Sequence, residues 1–142
     1  MLKRTVGILF LVIGATVALH TIIQPLYHIS TDAQPYSPAW DVLNPLMALA
    51  VVFGIAYAAL RKRTVDADAE PAVTRAYLAA NALFYGFLFV GILFFWSWAN
   101  YRSPGFRAVG PDAASVVWGI VDALLPLLCG AMGVALIRAR TT

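Results

Sequence analysis

Three polar side chains interrupt the long apolar stretches of this chain and are its strongest candidates for chemistry: His20, Asn44 and Asp122. An aspartate at the centre of a membrane-spanning helix costs about 2.5–3.5 kcal/mol on insertion scales. Asp122 is therefore expected to face other protein groups and to find a hydrogen-bond donor or a proton. His20 and Asn44 are the partners that the sequence offers. Pro126 has no N–H to donate to the carbonyl of Asp122, so that carbonyl oxygen is also available.

Such a polar cluster has two uses, and the sequence leaves both open. In the first use, the carboxylate and the free carbonyl bind a cation, a proton or a hydrogen-bond donor of a ligand. In the second use, hydrogen bonds among the three side chains join neighbouring helices and fix their packing. The structural use is the more common one in helical bundles, and the sequence favours it.

A proline-rich stretch, residues 24–40, separates His20 from Asn44 and holds further candidates. Its three prolines and its lack of Lys or Arg predict an ordered, partly extended cap rather than a helix. The candidate ligand residues in or next to this cap are His28, Asp32 and Asp41. Asp41 also precedes an apolar stretch and is interpreted as a helix N-cap.

Histidine and carboxylate side chains are ligands for zinc and copper, so a metal site was weighed at these positions. Their spacing matches no specific metal motif, and two histidines in these positions do not suit a haem. The sequence therefore predicts no metal and no other cofactor. It also contains no recognisable catalytic motif, which favours a protein that is not an enzyme without settling the point.

The composition places these polar residues in a membrane protein. The 142 residues are 61% hydrophobic and 12% charged, with a mean hydropathy of +0.79. Soluble domains carry about 25% charged residues, so a water-soluble class is excluded. A single cysteine excludes an internal disulfide framework.

Four stretches are long enough to cross a bilayer as helices, which requires roughly 20 apolar residues each. They lie at approximately 5–23, 42–60, 76–98 and 114–137. The predicted fold is an all-α integral membrane protein, a four-transmembrane-helix bundle that forms a single membrane domain over residues 1–142, with the proline-rich cap between helices 1 and 2. Two short motifs recur: residues 6–10 resemble 90–94, and 41–46 resemble 122–127, which suggests two duplicated helical hairpins.

The basic residues predict the orientation of the bundle. If the four helices alternate in direction, eight of the ten Lys and Arg residues flank the same side: Lys3, Arg4, Arg61, Lys62, Arg63, Arg75, Arg138 and Arg140. The positive-inside rule then places both termini in the cytoplasm, and the tryptophans gather at the opposite, outer side. Measured from these basic anchors at about 1.5 Å per residue, His20, Asn44 and Asp122 share one level about 24–26 Å above the inner boundary.

Small residues recur at helical spacing and predict faces where helices approach closely. Ala50, Gly54 and Ala58 form such a face on the second span, and Gly119 and Ala123 form one on the fourth.

These features favour a non-catalytic accessory or assembly subunit in the plasma membrane of a bacterial-type cell, which is the bacterial inner membrane. Its expected partners are the lipid bilayer and either other membrane subunits or further copies of itself, and no nucleic acid. Two alternatives remain open. One is a small-solute, ion or proton transporter or ligand-binding protein that uses His20, Asn44 and Asp122, and the other is a subunit with a metal or quinone site near the outer surface.

Overall fold

A computed structural model describes residues 1–31, 33–67, 73–103 and 110–139, and within these ranges the chain is helical with no β-strand. The helices are α1 (Leu2–Tyr27), α2 (Trp40–Asp66), α3 (Arg75–Arg102) and α4 (Pro111–Arg138). Each of these four described helices is long and apolar enough to cross a membrane. The predicted number of apolar helices is confirmed, and the chain has the architecture of a multi-pass membrane protein.

The helices have 26–28 residues and extend beyond the predicted apolar spans at both ends. At about 1.5 Å per residue they are about 40 Å long, whereas the hydrocarbon core is about 30 Å thick. The extra turns carry polar and basic residues. The N-cap of α3 is Thr74, whose side chain accepts a hydrogen bond from the backbone N–H of Tyr77 at 3.1 Å.

Two expectations for the helix ends were wrong. Pro25 lies inside α1, which continues to Tyr27, so the cap is shorter than the stretch of prolines suggested. The N-cap of α2 is Ala39, and Asp41 lies in the first turn of that helix instead of capping it. A carboxylate in the first turn still interacts favourably with the positive end of the helix dipole.

The helices pack as two antiparallel pairs, α1 with α4 and α2 with α3, and α3 also packs against α4. Gly7, near the start of α1, lies against Gly133, near the end of α4. About two turns further along α1, Gly14 lies against Cys129 of α4. At Gly7, a Cβ atom would stand only 2.8 Å from the carbonyl oxygen of Gly133, so the two backbones touch. These are the helix pairs that would be equivalent if the chain were a duplicated hairpin, which stays a prediction.

The core consists of apolar side chains from all four helices. Large members that exclude solvent completely are Val17, Met47, Phe87, Phe94 and Leu125. On the outer faces, apolar side chains such as Ile22, Ile92 and Leu127 are more than half exposed. Lipid tails cover such faces in a membrane, so this exposure fits the spanning architecture.

The predicted close face of α2 is confirmed, whereas the close approach of α4 within the bundle lies at a position other than Gly119. Ala50, Gly54 and Ala58 are buried, and Gly54 packs against the ring of Phe87. On α4, the close approach uses Gly133, whereas Gly119 has nothing within 4 Å of where its Cβ would be.

Antiparallel packing gives the bundle two distinct ends. The basic end contains Lys3, Arg4, Arg61, Lys62, Arg63, Arg75 and Arg138. The aromatic end contains Tyr27, Tyr36, Trp40, Trp96, Trp98, Tyr101 and Trp118. Arg140 lies outside the described residues.

Candidate functional site

A cavity of about 230 Å³ lies at the aromatic end of the bundle. Residues from all four helices and from the connection between α1 and α2 line it: Gln24, Tyr36, Trp40, Asn44, Tyr101, Ser115, Trp118, Gly119 and Asp122. A void of roughly 150 Å³ holds a benzene-sized molecule, so this space suits a small organic ligand.

Helical spacing explains how the sequence builds the wall of the cavity. Four lining residues come from α4: Ser115 and the residues three, four and seven positions after it, Trp118, Gly119 and Asp122. This spacing places them on one face of the helix. On α2, Trp40 lies one turn before Asn44. The end of α1 and the end of α3 add Gln24 and Tyr101, because antiparallel packing brings those ends to the same level.

Two buried oxygen atoms in the cavity wall lack a hydrogen-bond donor among the described residues. Asn44 exposes only 6% of its surface, and its Oδ1 atom has no partner. Asp122 is partly buried, and its Oδ1 atom also has no partner. A buried acceptor without a donor costs about 1–3 kcal/mol, so both atoms favour a donor brought by a ligand.

Aromatic rings form much of the remaining wall, and contacts with neighbours hold them in place. Tyr36 from the connection meets Tyr101 of α3 edge to face, with ring centroids 5.9 Å apart. The indole N–H of Trp40 donates to Oε1 of Gln24 at 2.6 Å. Trp118 packs edge to face on Phe94, with centroids 6.0 Å apart. The wall is therefore preorganised rather than formed by free side chains.

His20 lies beside this cavity but does not join Asn44 and Asp122 in its wall. Its Nε2 atom shares a 2.6 Å hydrogen bond with the hydroxyl of Tyr27, and its ring meets Trp40 edge to face with centroids 4.6 Å apart. Its Nδ1 atom is buried and has no partner among the described residues. His20 Nδ1, Asn44 Oδ1 and Asp122 Oδ1 therefore do not make the hydrogen bonds to one another that the sequence led us to expect.

Tyr27 connects His20 to the segment between α1 and α2. Its hydroxyl shares a second hydrogen bond, 2.9 Å long, with Oγ of Ser37, which is buried. Ser37 Oγ also accepts from the backbone N–H of Ala39 at 3.3 Å, next to the start of α2. These hydrogen bonds join the described part of the connection between α1 and α2 to the end of α1 and the start of α2.

We expect Tyr27→Phe to destabilise the protein by about 1–2 kcal/mol, since it removes two hydrogen bonds and leaves His20 Nε2 without its partner. The thermal unfolding midpoint in mild detergent measures this loss. Tyr85→Phe is the matched control, because Tyr85 is 56% exposed and its ring contact with Phe84 would remain. Equal midpoints for the two variants would contradict the role given to Tyr27.

The two described outer candidates, His28 and Asp41, do not line the cavity. His28 follows the end of α1 and its Nε2 atom is buried without a described partner, whereas Asp41 is exposed in the first turn of α2. Asp32 lies outside the described residues. Among the residues that the structure describes, no group of three or more His, Cys, Asp or Glu side chains is placed to hold a metal ion.

Tightly packed core residues close the cavity toward the middle of the bundle. Met47 lies one turn beyond Asn44 on α2, Val121 and Leu125 flank Asp122 in sequence, and all three exclude solvent completely. Phe94, beneath Trp118, is equally buried. Among the described residues, the core side chains next to the cavity are therefore fully buried.

Of the residues that line the cavity, only Asn44 and Asp122 were predicted as site residues from the sequence. The tryptophans and tyrosines were assigned to the membrane interface, which is a general role, and Gln24, Ser115 and Gly119 were not considered as site residues. The face formed by residues 115, 118, 119 and 122 was a detectable signal, since it is the most polar face at the start of α4.

Comparison of the chain with protein-family models, with curated proteins and with solved structures gives no match. Its function is therefore argued from the geometry of its own residues.

Proposed function

We propose that this chain is a multi-pass membrane protein that binds a small organic molecule in the cavity at the aromatic end. The observation that carries the proposal is the pair of buried, unpartnered oxygen atoms, Asn44 Oδ1 and Asp122 Oδ1, in the wall of a 230 Å³ cavity. Small-molecule sites typically combine apolar and aromatic walls with a few convergent polar atoms. This arrangement supports the ligand-binding alternative over a purely structural polar cluster.

The proposal is binding, and its support is the cavity itself; the described residues one turn further toward the basic end, Met47 on α2 and Leu125 on α4, are fully buried. The orientation that accompanies the proposal has the basic end in the cytoplasm and the cavity facing outward, in the plasma membrane of a bacterial-type cell. The distribution of Lys and Arg supports this orientation through the positive-inside rule.

The accessory-subunit hypothesis is compatible with the same four helices. Its support is the small size of the chain and the extent of its exposed apolar faces, which lipid covers equally well. The metal-site hypothesis lacks a donor cluster among the described residues. The cavity gives ligand binding the more specific support, and the experiment below distinguishes it from the accessory role.

We expect Gly119→Trp to abolish ligand binding without unfolding the bundle. Gly119 lines the cavity and has nothing within 4 Å of the position of a Cβ atom, so an indole there occupies space reserved for the ligand. Gly130→Trp is the matched control: Gly130 lies on the same helix, also has nothing within 4 Å, and does not line the cavity.

The measurement is mass spectrometry of small molecules and of proteins that copurify with each variant from native membranes in mild detergent. Wild type and Gly130→Trp should retain a small molecule that Gly119→Trp has lost. If all three preparations carry the same stoichiometric partner subunits and no variant-dependent small molecule, the accessory role is supported and the binding proposal is wrong.

A further inference from the structure

We infer that the ligand is a small organic cation, a protonated amine whose N–H groups donate to Asn44 Oδ1 and Asp122 Oδ1 and whose charge faces the surrounding aromatic rings. This inference rests on the proposed function and specifies the chemical class of the molecule in the same cavity.

The two unpartnered atoms, Asn44 Oδ1 and Asp122 Oδ1, favour a ligand that donates hydrogen bonds. Both are oxygens of acceptor groups, an amide carbonyl and a carboxyl. A ligand that satisfies them must present donors, and two acceptors in one wall suit a group with more than one N–H. An ammonium group has two or three such donors, whereas a ketone, an ether or a carboxylate has none. The geometry thus selects against ligands that only accept.

The charge of the cavity wall also favours a cationic ligand. Asp122 is an acidic residue in the wall, and none of the described residues that line the cavity is Lys, Arg or His. Arg102 follows Tyr101 at the end of α3, but it is exposed and is not part of the wall. His20 contacts Trp40 and bonds to Tyr27 instead of facing Asp122. A carboxylate in a low-dielectric site is stabilised by a countercharge, and a cationic ligand supplies one together with N–H donors.

The aromatic side chains in the cavity wall also favour a cationic ligand. Trp40, Trp118, Tyr36 and Tyr101 come from three helices and the connection, so the rings approach the cavity from different directions. Aromatic faces attract cations, tryptophan most strongly, and several rings around one space form the arrangement that recognises organic ammonium groups. Their contacts with Gln24 and Phe94 hold the two indoles in position before a ligand enters.

The volume of the cavity also favours a small organic cation. The cavity volume of about 230 Å³ exceeds what a single metal ion needs and is well below that of a lipid or a peptide. A cation with a compact apolar body fits both the volume and the apolar part of the wall.

Three probes of nearly equal shape test the inference: cyclohexylammonium, cyclohexanol and cyclohexanecarboxylate. They differ in charge, and each is titrated into the detergent-solubilised full-length protein while tryptophan fluorescence is recorded. Trp40 and Trp118 line the cavity and report its occupancy. We expect cyclohexylammonium to bind about tenfold more tightly than cyclohexanol, and the carboxylate not to bind.

Asp122→Asn keeps the shape of the side chain and removes its negative charge. It should weaken cyclohexylammonium binding by about tenfold and leave cyclohexanol binding within about twofold, which also shows that the variant is folded. Asp41→Asn is the matched control, since Asp41 is an exposed carboxylate at the same end of the bundle and outside the cavity wall. It should leave the affinity for all three probes unchanged.

The possible failures have different meanings. If cyclohexanol binds as tightly as cyclohexylammonium and Gly119→Trp blocks both, the cavity binds ligands but the cationic class is wrong. If Asp122→Asn and Asp41→Asn weaken ammonium binding equally, the charge acts from the surface and the inference is overturned. If no probe binds to protein that is monodisperse and folded, both the cation inference and the proposed small-molecule site are contradicted.

Discussion

Gly133→Ala is expected to destabilise the bundle by about 1–3 kcal/mol, although alanine is the better helix former. A Cβ atom at this position would stand 2.7 Å from the carbonyl oxygen of Gly7 and 2.7 Å from Cγ of Leu11. The first of these atoms belongs to the backbone of α1, which cannot rotate away as a side chain can. The two helices must therefore separate, and the loss of close packing spreads along their contact.

Gly130→Ala provides the control for this prediction. Gly130 lies one turn before Gly133 on α4 and has open space around the position of a Cβ atom, so the alanine there should be neutral or slightly stabilising. Unfolding of the two variants by increasing SDS in mixed micelles, followed by circular dichroism, gives the difference in free energy. Equal stability of the two variants would show that α1 and α4 do not approach as closely as described.

Phe87→Ala is expected to cost about 2–3 kcal/mol, the contribution of the cavity that it leaves. The Phe87 ring is completely buried, lies against Gly54 of α2 and meets Phe10 of α1 at a centroid distance of 6.0 Å. Separated helices in a membrane remain in an apolar solvent, so the loss comes from packing rather than from transfer out of water. The same SDS titration measures it, with Phe89→Ala as the control because Phe89 is 52% exposed on the same helix.

A second substitution at Gly54 sharpens this prediction. In the wild-type background, Gly54→Ala is destabilising, because its Cβ atom would overlap the ring of Phe87. In the Phe87→Ala background the added methyl group enters the vacated space, so the same substitution becomes neutral or stabilising. Additive effects in the double variant would contradict the direct contact between the two residues.

The sequence was sufficient to predict the membrane architecture, because the length and hydropathy of a spanning helix are set by the bilayer itself. It was less informative at the helix ends. The proline-rich cap was expected to begin at residue 24, but α1 continues through Pro25 to Tyr27, since proline is tolerated in membrane-spanning helices. Ala39 rather than Asp41 is the N-cap of α2, although aspartate is the better capping residue.

The candidate site was predicted in part, for a geometric reason. Counting residues from the basic anchors gives the depth of a side chain in the membrane but not the direction in which it points around the helix. Asn44 and Asp122 were predicted to lie at a common level, and the structure places both in the wall of one cavity. His20 shares that end of the bundle but bonds to Tyr27, and only the packing of α1 against its neighbours determines that choice. The glycine faces show the same limit, since Gly119 and Gly133 have equally small side chains and only one meets another helix.

The contact between Gly7 and Gly133 joins α1 to α4, the helix of this bundle that is synthesised after the other three. During translation, α2 and α3 can pack together as soon as both have entered the membrane, because they are neighbours in sequence. The main partner of α1 is not yet made at that time, so its glycine face remains in contact with lipid. The bundle closes only when α4 is inserted, and a ribosome that stops before the fourth helix leaves an incomplete product with an open seam along α1.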